Sequence, residues 1–196
     1  MDLLNRRPCG LSRKWEVVGI KDVLYFFHHN PQTDPKLMSK FLLCAVLLSF
    51  VPLLHADVDQ TKPLDLKYTS VDGKSVDLSK MRGKVVLVDF WATWCPPCRG
   101  EVPNVVAAYK KYHDQGFDIV GVSLDQNKDA LLAFTKEHGM VWPQYFDGKG
   151  WDNEISKGFG IDSIPAMWLV GKDGKVVSTN AREDLAGQVE KALKAP

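Results

Sequence analysis

Leu64-Asp-Leu-Lys-Tyr-Thr-Ser-Val71 alternates apolar and polar positions, the two-residue period of a half-buried strand. Asp72-Gly73 then gives a tight-turn signal and Ser75-Val-Asp-Leu78 follows, so residues 64–78 are predicted to form a β-hairpin. Lys84-Val-Val-Leu-Val-Asp-Phe-Trp91 is a continuous apolar run rich in β-branched residues, the mark of a strand buried on both faces. From Pro96 to Gly116 the spacing becomes helical. Val102, Val105, Val106, Tyr109 and Tyr112 fall on one stripe, and Gly116 stops it. Phe117–Leu124 reads as a second buried strand. Asn127–Gly139 reads as a helix with Leu131, Leu132 and Phe134 as its apolar positions and Gly139 as its C-cap. Residues 142–159 read as loop with a short helix. Ala166–Val170 is a third strand, Asp173-Gly174 turns it into a fourth at Lys175–Ser178, and Arg182–Leu193 closes the chain as an amphipathic helix. Strand, helix, strand, helix, hairpin and helix predict an α/β domain: a mixed central sheet with helices on both faces and an N-terminal β-hairpin extension.

The chain before this domain has a different pattern. Met38–Ala56 shows the three parts of a secretory signal: Lys40 as a short positive region, an apolar run of 14 residues from Phe41 to Leu54, and Leu54-His55-Ala56 ending in the small residue that cleavage requires. A membrane span needs roughly 20 apolar residues, so the length favours cleavage before Asp57 over retention as an anchor. Cys44 as a lipidation site is disfavoured by the bulky Leu43 before it. Residues 1–37 read as an over-extended start or as an unusually long n-region. Arg6-Arg7 lies too far from the apolar run to form a twin-arginine signal with it. The expected organisation is therefore 1–37 unstructured, 38–56 signal peptide and 57–196 one domain.

Composition excludes several classes. The chain is 45% hydrophobic and 25% charged, with a formal net charge of +1. From Asp57 onward there are 20 acidic and 18 Lys/Arg residues, a net charge of 18 − 20 = −2. No basic field is present to hold nucleic acid, and nothing suggests disorder or a many-span membrane protein. Specific local chemistry must carry the function.

That chemistry is in the cysteines. Of Cys9, Cys44, Cys95 and Cys98, only the last two form a C-x-x-C pair, and only they fall in the expected mature domain. A structural zinc site usually needs four Cys or His ligands, and the second pair is missing. Trp91-Ala-Thr-Trp-Cys-Pro-Pro-Cys98 follows a buried strand and opens a helix. Cysteines three apart at a helix start can close a small disulfide ring. The first of them lies where backbone N–H groups and the helix dipole favour thiolate, the nucleophilic form. Cys95 can thus attack a substrate disulfide and Cys98 can resolve the mixed disulfide. Pro97 suits an early helix position, where its missing N–H costs little.

The block Val88-Asp-Phe-Trp-Ala-Thr-Trp-Cys-Pro-Pro-Cys-Arg-Gly-Glu-Val-Pro103 resembles the thioredoxin superfamily, in particular its exported TlpA/ResA-like branch, and the resemblance spans about residues 62–193. It implies a thioredoxin fold, no cofactor beyond the cysteines, and dithiol–disulfide exchange in the periplasm or at an outer membrane face. Cys95 would be the exposed nucleophile and Cys98 the resolving thiol. Asp89 would be the buried acid beneath the disulfide, a carboxylate with a raised pKa that takes the Cys98 proton. Glu101 would be the glutamate of the E-x-P pattern that tunes both thiols. Ile164-Pro165 resembles the cis-proline facing the cysteines, where backbone groups bind an extended substrate strand and metal is kept from the thiols. Trp91 and Trp94 are candidates for an apolar rim around Cys95, with core packing the simpler role for Trp91. Trp94, Pro96, Pro97, Ile164 and Pro165 make up the expected substrate contacts. The implied partners are protein thiols and disulfides, apocytochrome c among them, and a membrane thiol transporter of the DsbD/CcdA kind as electron donor. The chain is expected to be a monomer.

Pro96-Pro97 departs from the Glu or Thr usual between the cysteines of close relatives, and these residues influence redox poise. The direction of electron flow stays open, with reductase the family expectation. Two other readings remain. A peroxiredoxin-like peroxidase would use Thr93-Trp-Cys95, one residue short of the Thr-x-x-Cys spacing. A copper chaperone would add His113, His138 or Met167 to the pair.

Overall fold

A computed structural model describes residues 59–196. The predicted leader and signal segments, 1–37 and 38–56, lie outside the described residues. Leu64, Leu66 and Tyr68 point inward while Asp65, Lys67 and Thr69 face water, as the alternation requires. The hairpin is β1 (Lys67–Thr69) and β2 (Ser75–Asp77), antiparallel with Tyr68 opposite Val76. Gly73 takes the positive φ of 84° that the turn demands. A short 3-10 turn at Leu78–Met81, capped by Asp77, leads into the sheet.

The sheet has five strands in the order β5-β4-β3-β6-β7: β3 (Val85–Trp91), β4 (Phe117–Ser123), β5 (Gln144–Tyr145), β6 (Ala166–Val170) and β7 (Val176–Ser178). β3 is central, parallel to β4 and antiparallel to β6; β5 is parallel to β4, and β7 antiparallel to β6. Every residue of β3 is buried, which is why its sequence reads as a run rather than an alternation.

The pleat sends β3 side chains to two cores. Val85, Leu87 and Trp91 join α1 (Pro96–Tyr112), Leu131 of α2 (Lys128–Glu137) and α4 (Leu185–Lys194). Val86, Val88 and Phe90 join the hairpin, Trp168, and Ile155 and Phe159 at α3 (Glu154–Gly158). The second face is thus covered mainly by the hairpin, with α3 as a single short helix beside it. The hairpin is fastened there by Tyr68 Oη, which donates to the Gly121 and Pro143 carbonyls at 3.3 Å each.

Two elements differ from the sequence reading. The helix predicted to Gly116 ends at Tyr112, and one 3-10 turn at His113–Gln115 carries the chain to Gly116 at φ 95°. Residues 142–159 contain β5, a two-residue strand whose pairing comes from the exposed edge of β4 and not from any local period. The Gln144 side chain passes so close to Gly121 that a Cβ there would lie 1.9 Å from its Oε1. That oxygen accepts a bond from buried Trp91 Nε1 at 3.0 Å.

Candidate active site

β3 delivers the chain to the site and α1 receives it. Residues 92–95 turn between them, and Cys95 is the N-cap of α1, its backbone extended at φ −89°, ψ 108°. Its Sγ accepts the Cys98 amide N–H at 3.2 Å, so a free helix N-terminal donor is aimed at the sulfur. Cys95 and Cys98 are joined as a disulfide, with Cα atoms 5.2 Å apart. Pro96 and Pro97 occupy the first two helical positions, where no intrahelical N–H is needed, and both are exposed.

The loop before β6 forms the facing wall. The Ile164-Pro165 bond is cis, and the Ile164 carbonyl oxygen lies 3.8 Å from Cys95 Sγ. Cys95 is not the exposed sulfur that the resemblance implies. It is 4% exposed against 3% for Cys98, because it packs within the core beneath the Ile164 carbonyl. Pro165 is half-buried beside it in sequence.

Asp89 falls on the α1 side of β3, two residues from Leu87 and Trp91 in the same row, and opposite Met167 of β6. It is 3% exposed and its Oδ1 has no hydrogen-bond partner. Burial first, and the charge of Glu101 second, push its pKa up to about 7. Glu101, one turn into α1, is held below the usual carboxylate range by the Asn104 amide, which donates at 3.0 Å, and by Arg182, whose Nε donates at 3.0 Å. Glu101, Arg182, Lys111 and Asp184 line a shallow groove of about 320 Å³ between α1 and α4.

The turn into the helix is fixed from below by Asp125, which is 2% exposed. Its carboxylate accepts Thr93 Oγ1 at 2.6 Å, Ser123 Oγ at 2.8 Å and the Thr93 amide at 3.2 Å. Trp91 is buried in the core, whereas half-exposed Trp94 alone of the two borders solvent next to Cys95.

The residues of the competing readings have other engagements. Thr93 Oγ1 is committed to Asp125. His113 bonds the Phe117 carbonyl and stacks on Tyr109, and His138 bonds the Phe134 carbonyl and stacks on that ring. Met167 sits across from Asp89 in the core that also holds the cysteines. Among the described residues no group of three His, Cys, Asp or Glu side chains could hold a metal ion.

Sequence reasoning missed Asp125, Asn104 and Arg182. Arg182 is separated from Glu101 by 81 residues, so no local pattern could pair them. Asp125 carried a weak signal, an acid directly after a buried strand.

The Redoxin family model matches residues 56–195. The chain belongs to the Redoxin family, and within it to the ResA-type thiol-disulfide oxidoreductases. Thiol-disulfide oxidoreductase ResA of Bacillus thuringiensis subsp. konkukian is 35% identical over 126 residues, 64% of this chain and 71% of that one. ResA of Bacillus subtilis is 35% identical over 106 residues, 54% of this chain and 58% of that one. Among solved structures, the thioredoxin domain of a thiol-disulfide oxidoreductase from Bacteroides vulgatus aligns with a TM-score of 0.60 at 32% identity, covering 67% of this chain and 94% of that one. A thiol:disulfide interchange protein of the thioredoxin family from Chlorobium tepidum gives 0.57 at 28% identity, covering 67% and 94%. The redoxin oxidoreductase is therefore thioredoxin-like in fold as well as in motif.

Proposed function

We propose that this oxidoreductase works in the reducing direction on the disulfides of exported proteins, with apocytochrome c as one client. The observation that carries dithiol–disulfide exchange is the Cys98 amide aimed at Cys95 Sγ, with buried Asp89, whose Oδ1 has no hydrogen-bond partner, on the same side of the sheet; the reducing direction is the expectation from the ResA-like resemblance. The first supports a Cys95 thiolate; the second supports a proton acceptor for Cys98.

In the forward reaction the Cys95 thiolate attacks one sulfur of the client disulfide. A Cys95–client bond forms, the client S–S bond breaks, and the other client sulfur leaves as thiolate and takes a proton from water. Cys98 then gives its proton to Asp89 and its thiolate attacks Cys95 Sγ. The mixed disulfide breaks, the second client sulfur leaves as thiolate and is protonated by water while Asp89 releases the Cys98 proton to solvent, and the Cys95–Cys98 disulfide remains. Two electrons have passed to the client. A dithiol donor, here a membrane thiol transporter, reduces the pair again by the same exchange. The Ile164-Pro165 wall, Trp94, Pro96 and Pro97 are the proposed client contacts, and Glu101 tunes the thiols through Asp89.

Export rests on the signal pattern at 38–56, and a mature N-terminus at Asp57 in the periplasm is the corresponding expectation. No helix among the described residues is long and apolar enough to cross a membrane.

The deciding experiment is the equilibrium reduction potential of the Cys95–Cys98 pair against glutathione or dithiothreitol. A value near that of thioredoxin, about −270 mV, supports the reductase. A value near about −120 mV marks a disulfide donor and overturns the direction.

A further inference from the structure

Two half-exposed tryptophan rings stand together, one of them on the residue before Cys95, and both are tied to one strand end. Trp94, the residue before Cys95, is 49% exposed, and its Nε1 donates to the Leu124 carbonyl at 3.3 Å. Trp151 is 47% exposed, with its ring centre 6.1 Å from that of Trp94 and the planes tilted by 57°. The turn that presents Trp151, Gly150–Asp152, is held from within. Asn153, fully buried, donates from Nδ2 to the Ser123 carbonyl at 3.1 Å and to Asp147 Oδ1 at 3.3 Å. Asp147 in turn accepts the Lys149 and Glu154 amides at 3.0 Å each. Gly150 adopts a φ of 59°, which a side chain would resist. A polar network rooted in buried Asn153 thus holds a large apolar ring half in water, where it forgoes the stabilisation of burial.

We propose that Trp151 is a specificity-determining residue of the exchange reaction: with Trp94 it forms an aromatic shelf that seats an apolar or aromatic client side chain next to the client's reacting cysteine. This rests on the thiol–disulfide exchange reading. The occupant follows from position and charge. Trp94 adjoins Cys95, so what lies on the shelf during reaction is the polypeptide carrying the disulfide. The charged side chains around Trp151 are paired with one another, Lys149 with Glu154 and Lys157 with Asp152, so the rim presents ring faces rather than a net charge. Exposed Pro96 and Pro97 continue the apolar surface on the other side of Cys95. Fixed tryptophans with a free face are the side chains that most often dominate recognition.

The test uses the full chain, reduced beforehand and mixed with three disulfides. One is hydroxyethyl disulfide, which has no side chains; the others are two disulfide-bonded peptides that differ only by Trp or Ser before the cysteine. Single turnovers quenched with acid, with the thiols remaining on the separated protein counted, give a half-saturating concentration and a limiting rate for each. Wild-type protein is expected to saturate at lower concentration with the Trp peptide. Trp151→Ala should raise that concentration about tenfold, the equivalent of about 1.4 kcal/mol, with the limiting rate and the hydroxyethyl disulfide reaction unchanged. Trp151→Phe should recover part of the preference. A Trp151→Ala protein that still prefers the Trp peptide overturns the shelf, as does one that slows equally on all three disulfides, since the ring would then only prop Trp94. Wild-type protein inert towards all three would overturn the exchange reading itself, a failure distinct from either.

Discussion

Glu101 on α1 and Asp89 on β3 are two carboxyl groups set against each other: the charge of Glu101 adds to the burial that lifts Asp89 to about 7. Glu101 itself is kept ionised by Asn104 and Arg182. The arrangement places a group that changes protonation near neutral pH on the face of β3 that α1 and the cysteines cover.

The first consequence is a stability that falls as pH rises. The native state holds the Asp89 proton up to about pH 7, whereas the unfolded chain releases it near the ordinary 3.8. The native state therefore binds more protons between those values, and stability is lost across that window and levels off above it. Three pKa units correspond to about 4 kcal/mol as an upper scale. Asp89→Asn should be more stable than wild type at pH 8 by on the order of 2–4 kcal/mol and show no such gain at pH 4. Urea denaturation of the oxidised proteins at the two pH values checks this.

Kinetics should move in the opposite sense. If Asp89 accepts the Cys98 proton, its ionised form is the active one, and the resolving rate rises as pH passes its pKa. Glu101→Gln removes a neighbouring negative charge, so the inflection should shift to lower pH, while Arg182→Gln should shift it upward. Asp89→Asn should slow resolution on the order of 10²-fold at pH 7. Stopped-flow decay of a preformed mixed disulfide measures all three.

Cys95→Ser should abolish reduction of insulin, since no nucleophile remains at the helix N-cap. Cys98→Ser should accumulate a covalent adduct with its substrate, visible on a non-reducing gel and cleared by dithiothreitol. Two mutants that both retained wild-type turnover would remove the pair from the mechanism.

Asp125→Ala should destabilise the fold by about 2–4 kcal/mol, because it leaves the Thr93 amide and hydroxyl and the Ser123 hydroxyl without their acceptor. Asp125→Asn, which keeps one acceptor oxygen, should cost less. Thermal unfolding compares them, and the alanine variant should also react more slowly through its loosened Cys95 turn.

The spacing of Cys95 and Cys98 and their setting at a helix start were legible in sequence because they depend on a local order of buried run, turn and helical stripe, whereas Asp89 was marked only by the family resemblance. Trp151 was not, since it lies in residues 142–159, where no period sets it apart from the other aromatic residues. β5 was missed for a similar reason. Two residues bounded by Pro143 and Phe146 gain their strand conformation only from the edge of β4.

By itself the sequence determined the order of the strands and helices other than β5, the placement of a dithiol at a helix N-terminus and the burial of β3, because periodicity and chain-local turns encode them. Tertiary structure alone decided that Cys95 is covered by the Ile164 carbonyl, that Arg182 reaches Glu101, that Asp125 anchors Thr93 and that Trp94 meets Trp151. Each of these joins residues at least 30 positions apart. Such contacts form when strands pair and helices pack, and they leave no period in the chain.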